Sequence, residues 1–95
     1  MGSAAQAAAL SSGALSNQSA KIYRGFAVRE TAGAAAVMRV WDGAVGTGVL
    51  LDTVSLAPNE SAREWYGADE GIWVASGTLN VEKVSGTYEG SIRIG

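Results

Sequence analysis

Serine, lysine and a few acidic residues are the side chains in this 95-residue chain that could do chemistry, because it holds no histidine and no cysteine. A nucleophile–imidazole pair and a thiolate are both ruled out, and a zinc site loses its two usual ligand types. No serine stands in Gly-x-Ser-x-Gly. Lys21 and Lys83 lie among alternating strand residues and read as solvated side chains, not as amine bases. Glu60 and Glu64, four residues apart, share a solvated strand face and do not read as a hydrolytic carboxylate pair. Asp69-Glu70 sits in the loop Gly67 to Gly71, but the oxygen-ligand series of a calcium loop is missing and an exposed acidic turn is expected. Gly43, Gly46 and Gly48 do not precede a helix, so they form no phosphate cradle. The expectation is a protein that is not an enzyme, with no catalytic residue, no cofactor and no metal.

Tryptophan is the residue type left for recognition. Trp41, Trp65 and Trp73, with Tyr66, are numerous for a chain of this size. If Val40 and Ile72 face a core, Trp41 and Trp73 face outward. Outward tryptophans stack on a sugar ring, are buried against a partner protein, or cover the open end of a sandwich. Arg24, Arg39 and Arg63 add no basic stripe to these rings. With a net charge of −2, nucleic acid is not an expected partner.

The elements that would position these rings are strands. From Lys21 onward, aromatic and β-branched residues alternate with charged ones, and glycine punctuates the chain at short intervals. Strands are expected over Ile22 to Glu30, with Ile22, Phe26 and Val28 inward and Arg24 interrupting that face, and over Ala36 to Asp42, with Ala36, Met38 and Val40 inward. In Val49 to Leu56 the apolar Leu51, Val54 and Leu56 break alternation, which predicts a bulge near Asp52–Thr53. Ala57-Pro58-Asn59-Glu60 is a turn. Ser61 to Tyr66, Ile72 to Ala75, Leu79 to Val84 and Tyr88 to Ile94 follow, the last with Tyr88, Ile92 and Ile94 inward. The fold class is all-β: a small antiparallel β-sandwich or jelly-roll-like barrel of about seven short strands.

Residues 1–20 differ in composition. They are rich in Ala, Ser, Gln, Asn and Gly and carry no charged side chain. The domain reading is a flexible or partner-ordered N-terminal arm over 1–20 and a β-sandwich over 21–95. Ala4 to Leu10 reads either as a short helix stopped by Ser11, Ser12 and Gly13 or as part of a disordered tail. The segment lacks the basic start and concentrated apolar run of a secretory signal, and no apolar stretch is long enough to span a bilayer. A domain this small, without disulfides, is expected to lean on association with other chains.

Tyr23 to Gly95 resembles small β-sandwich proteins encoded in the structural modules of tailed bacteriophages. The likeness is carried by Gly25-Phe26-Ala27-Val28-Arg29-Glu30-Thr31 and an Ala/Gly-rich turn, then Val37 to Gly43, then Gly48 to Ala57. Gly71-Ile72-Trp73-Val74, Val81 to Gly86 and Glu89-Gly90-Ser91-Ile92 complete it, covering about three quarters of the chain. The resemblance implies a virion structural protein of the capsid decoration, cement or minor capsid type, on the capsid exterior. Its partners would be the major capsid protein lattice and further copies of itself, with a trimer the favoured homo-oligomer. The alternative is a receptor- or carbohydrate-binding module of a tail or head fibre. The residues expected to meet a partner are Ala4, Leu10 and Leu15 in the arm and Trp41, Trp65 and Trp73 in the sandwich.

Overall fold

The computed structural model describes residues 6–67 and 71–95. It contains nine strands: β1 (Gln6–Ala9), β2 (Leu15–Ser19), β3 (Ile22–Glu30), β4 (Ala36–Asp42), β5 (Val49–Leu56), β6 (Ser61–Trp65), β7 (Ile72–Trp73), β8 (Thr78–Ser85) and β9 (Tyr88–Ile94). One sheet runs β1-β9-β3-β6, with the short β7 also paired to β3; the other runs β2-β8-β4-β5. All pairings are antiparallel. Four of the ladders join β1 to β9, β2 to β8, β3 to β6 and β4 to β5, so the chain is a long antiparallel ribbon rolled up on itself. That is jelly-roll topology, in which two sheets enclose one core. The expected all-β sandwich is found: the seven strands anticipated over 21–95 are β3 to β9, and β1 and β2 bring the count among the described residues to nine.

Alternation sets what faces the core. Tyr23, Phe26 and Val28 of β3, Ala36, Met38 and Val40 of β4, Val54 and Leu56 of β5, Leu79 and Val81 of β8, and Tyr88, Ile92 and Ile94 of β9 are all buried. Two register shifts decide the exceptions. Tyr23 pairs with Ile94 but Gly25 pairs with Arg93, so Arg24 is an extra residue on β3. The bulge puts Tyr23, where Ile22 was expected, into the core, and Arg24 turns into the protein to donate from Nη1 to the Gly67 carbonyl at 3.0 Å. On β5, Asp52 pairs with Val40 and Leu50 with Trp41, which makes Leu51 the extra residue. The bulge therefore falls one residue before the expected Asp52–Thr53 position, and it lets Leu51, Val54 and Leu56 all reach the core.

The largest difference lies in the first twenty residues. Gln6–Ala9 is a strand on β9, not part of a helix, and Leu15–Ser19 is a strand on β8. Alanine favours helix, but one of about seven residues gains too few hydrogen bonds to cover its nucleation cost. The open edges of β8 and β9 offer a full row of backbone partners instead. Ser12 and Gly13, with φ of 51° and 80°, turn the chain between the two sheets, and the Tyr88 hydroxyl donates to the Gly13 carbonyl. Ala8, Leu10 and Leu15 pack against the core. Residues 6–19 are thus two edge strands of the sandwich and not an arm outside it.

Candidate functional site

Three acidic side chains that the sequence did not single out, Glu30, Asp42 and Asp52, are joined to the fold by hydrogen bonds. Glu30, fully enclosed, accepts from the backbone N–H groups of Asn59 (2.8 Å), Gly33 (2.8 Å) and Ala32 (2.5 Å). The Asn59 contact, then those of Ala32 and Gly33, hold its carboxyl below the usual range against the opposing effect of burial. Asp42 accepts from the Ser76 hydroxyl (2.5 Å) and from the backbone N–H groups of Ser76 and Ala75. The Ser76 hydroxyl is the main cause that holds its carboxyl down. Asp52 accepts from Tyr23 (2.9 Å) and Tyr66 (2.8 Å), tying β5 to the other sheet. Burial, then the hydrogen bond to Asp52, pushes Tyr66 up to about 12, and burial with the Asp52 charge raises Tyr23 further. These phenols stay protonated and act as donors. Among the described residues no group of three or more acidic side chains is placed to hold a metal ion; Asp69-Glu70 lies outside them.

The tryptophans fall on two different faces. Trp41, half-buried on the outer face of the β2-β8-β4-β5 sheet, donates from Nε1 to Glu82 at 3.0 Å. Trp65 and Trp73 are 53% and 66% exposed. They pair with Gly25 and Ile22 along the same side of β3, so both lie on the outer face of the β1-β9-β3-β6 sheet. Trp41 and Trp73 therefore cannot clamp one ligand, whereas Trp65 and Trp73 share a face. Leu10 and Leu15, expected to meet a partner, are half-buried against their own core, and Ala4 lies outside the described residues.

The ladder registers build a site that single strands did not reveal. Arg93, Gly25 and Trp65 form one cross-strand row, Ser91, Ala27 and Arg63 the next, and Glu89, Arg29 and Ser61 a third. Gly25 and Ala27 raise no bulk above β3, so a furrow runs along it. Arg93, Ser91 and Glu89 wall it on one side and Trp65, Arg63 and Ser61 on the other, with Arg29 at one end. Two adjoining hollows of about 450 and 300 Å³ occupy it, sharing Ala27 and Arg63. Gly25 is obligatory here: its φ is +124°, and a Cβ would stand 2.0 Å from the Glu64 carbonyl oxygen. Sequence reasoning had Arg93 and Ser91 outward but grouped Arg63 with Arg24 and Arg39. Arg24 is buried, and Arg39 lies on β4 in the opposite sheet. The spacing Ser61-x-Arg63-x-Trp65 was the available signal, since alternate residues share a face.

A second surface lies at the β4–β5 end. Val45, Val49 and Leu50 are 45%, 62% and 45% exposed, and Leu50 pairs with Trp41. Leu50 thus shares the outer face of this sheet with Trp41, while Val49, its neighbour on the strand, is paired with Asp42 and points to the other side.

Comparison with protein-family profiles, with curated proteins and with solved structures finds no match to this chain.

Proposed function

We propose that the protein is a virion structural component, a capsid decoration protein that binds and stabilises the assembled head shell and works by contact, without catalysis. The observation that carries this reading is the exposed Leu50 paired with Trp41 on an outer sheet face, at an end of the sandwich that also exposes Val45 and Val49. The resemblance of Tyr23 to Gly95 to phage structural proteins supplies the partner, the major capsid protein lattice. A protein that binds the assembled lattice and not its dissociated subunits stabilises the shell by mass action. Many modest contacts repeated by symmetry are sufficient, in a homo-oligomer for which a trimer is favoured.

Co-sedimentation with purified shells tests this. Val49→Asp and Leu50→Asp place charge in the contact without touching the core, and each is expected to reduce shell binding at least tenfold with the circular dichroism spectrum unchanged. Undiminished binding by both variants would overturn the assigned surface. A second reading, a receptor- or carbohydrate-binding module of a tail or head fibre, is favoured by the shared face of Trp65 and Trp73. Glycan binding that is lost on Trp65→Ala or Trp73→Ala, from a protein that travels with tails, would support it.

A further inference from the structure

We infer that the furrow above Gly25 and Ala27 is a binding site for an acidic oligosaccharide, one whose sugars carry carboxylates. The inference deepens the glycan-binding reading and is independent of whether the module sits on a head or a tail. Charge marks this strip out. The chain carries a net −2, with seven cationic side chains in all, yet Arg29, Arg63 and Arg93 converge on this one strip. Two acidic side chains face the three arginines, Glu89 across from Arg29 and Glu64 in the lining of the second hollow, and the strip keeps an excess of one positive charge. The side chains of Arg29 and Arg63 make no hydrogen bond or ion pair with another described residue, while Arg93 donates to Ser91 Oγ. Unengaged guanidinium forks match carboxylates in a two-point geometry that a lysine cannot reproduce.

The shape of the strip suits an extended ligand. The hollows are open along the sheet face and not enclosed as a small-molecule pocket would be. Trp65 stands on the wall directly across Gly25 from Arg93, and Trp73 follows it along the same edge. An exposed indole next to a floor without side chains is a stacking surface for the apolar face of a pyranose ring. Indoles toward one end and guanidinium groups along the rest select a ligand that is both flat and anionic. An acidic peptide would satisfy the arginines without using the indoles, and is the competing occupant.

Titration of the full chain with trigalacturonate, read by quenching of tryptophan fluorescence and by calorimetry, tests the proposal. Neutral galactotriose and a triglutamate peptide serve as comparison ligands. Trigalacturonate is expected to bind at least tenfold more tightly than either. Its affinity is expected to fall with added salt and to drop at least tenfold in Arg63→Gln, in Arg93→Gln and in Trp65→Ala. Lys83→Gln, which makes the same change of charge on the other sheet, should bind like the wild type. Equal binding of galactotriose, equal binding of triglutamate, no binding of trigalacturonate, or an Arg63→Gln protein with unchanged affinity and a native circular dichroism spectrum would each overturn it. The first of these leaves a neutral-glycan module standing, so the outcome separates this inference from the broader reading.

Discussion

Glu30 and Asp42 show how this chain uses its acidic residues: each carboxylate gathers N–H groups of turns that would otherwise have no partner. Both are held below the ordinary carboxylate range, so their stabilisation is complete above the unfolded-state value, near pH 4, and is lost as pH falls through the lower folded-state value. Denaturant midpoints measured from pH 7 down to pH 2 are expected to fall steeply below about pH 4. The fall should be shallower in Glu30→Gln, which has already lost the charge; an identical profile in the variant would contradict the assignment. Gly25 offers a sharper test at the same scale. With φ of +124° and the Glu64 carbonyl 2.0 Å from a Cβ position, Gly25→Ala forces strand β6 away from β3. A loss of about 3 kcal/mol or more in thermal or denaturant unfolding is expected, since a strained left-handed residue and a backbone clash add. A variant as stable as the wild type would mean that β3 and β6 are not paired as described.

At the scale of elements, the N-terminal strands decide how the molecule can be manipulated. β1 and β2 cover the outer edges of β9 and β8, so removing residues 2–20 uncovers both sheets together. The deletion is expected to lower the unfolding midpoint and promote aggregation, and not to leave an intact sandwich that has merely lost an attachment arm. A deletion variant with wild-type stability would restore the arm reading. A milder probe is Tyr88→Phe, which removes the hydroxyl bonded to the Gly13 carbonyl and should cost about 1 kcal/mol while speeding amide exchange over residues 6–19. The pattern of what sequence conveyed follows the same physics. Strands β4 and β9 were legible because Ala36, Met38, Val40, Ile92 and Ile94 alternate strictly. Around Arg24 and Leu51 a bulge resets the alternation, and its existence could be inferred on β5 but not its exact residue. β1 was hidden because its alanines have no alternation and a helical preference; only the unpaired edge of β9 makes it a strand. The furrow was hidden for a different reason. Arg29, Arg63 and Arg93 lie 30 and more residues apart in sequence, and the cross-strand register that joins them is a property of the ladders, not of any one segment.

For the whole molecule, a jelly roll is a scaffold that many unrelated functions share, so the argument for function rests on surfaces. One end presents Val45, Val49 and Leu50, and one sheet face presents two tryptophans with three arginines. Such a body can sit on one partner and leave a second surface open. The central claim is that the seat is the head shell, and fractionation of intact virions into filled heads and tails, followed by mass spectrometry of each fraction, tests it most directly. The account predicts that the protein travels with filled heads in many copies; recovery with tails alone, or as free protein absent from both fractions, would contradict it.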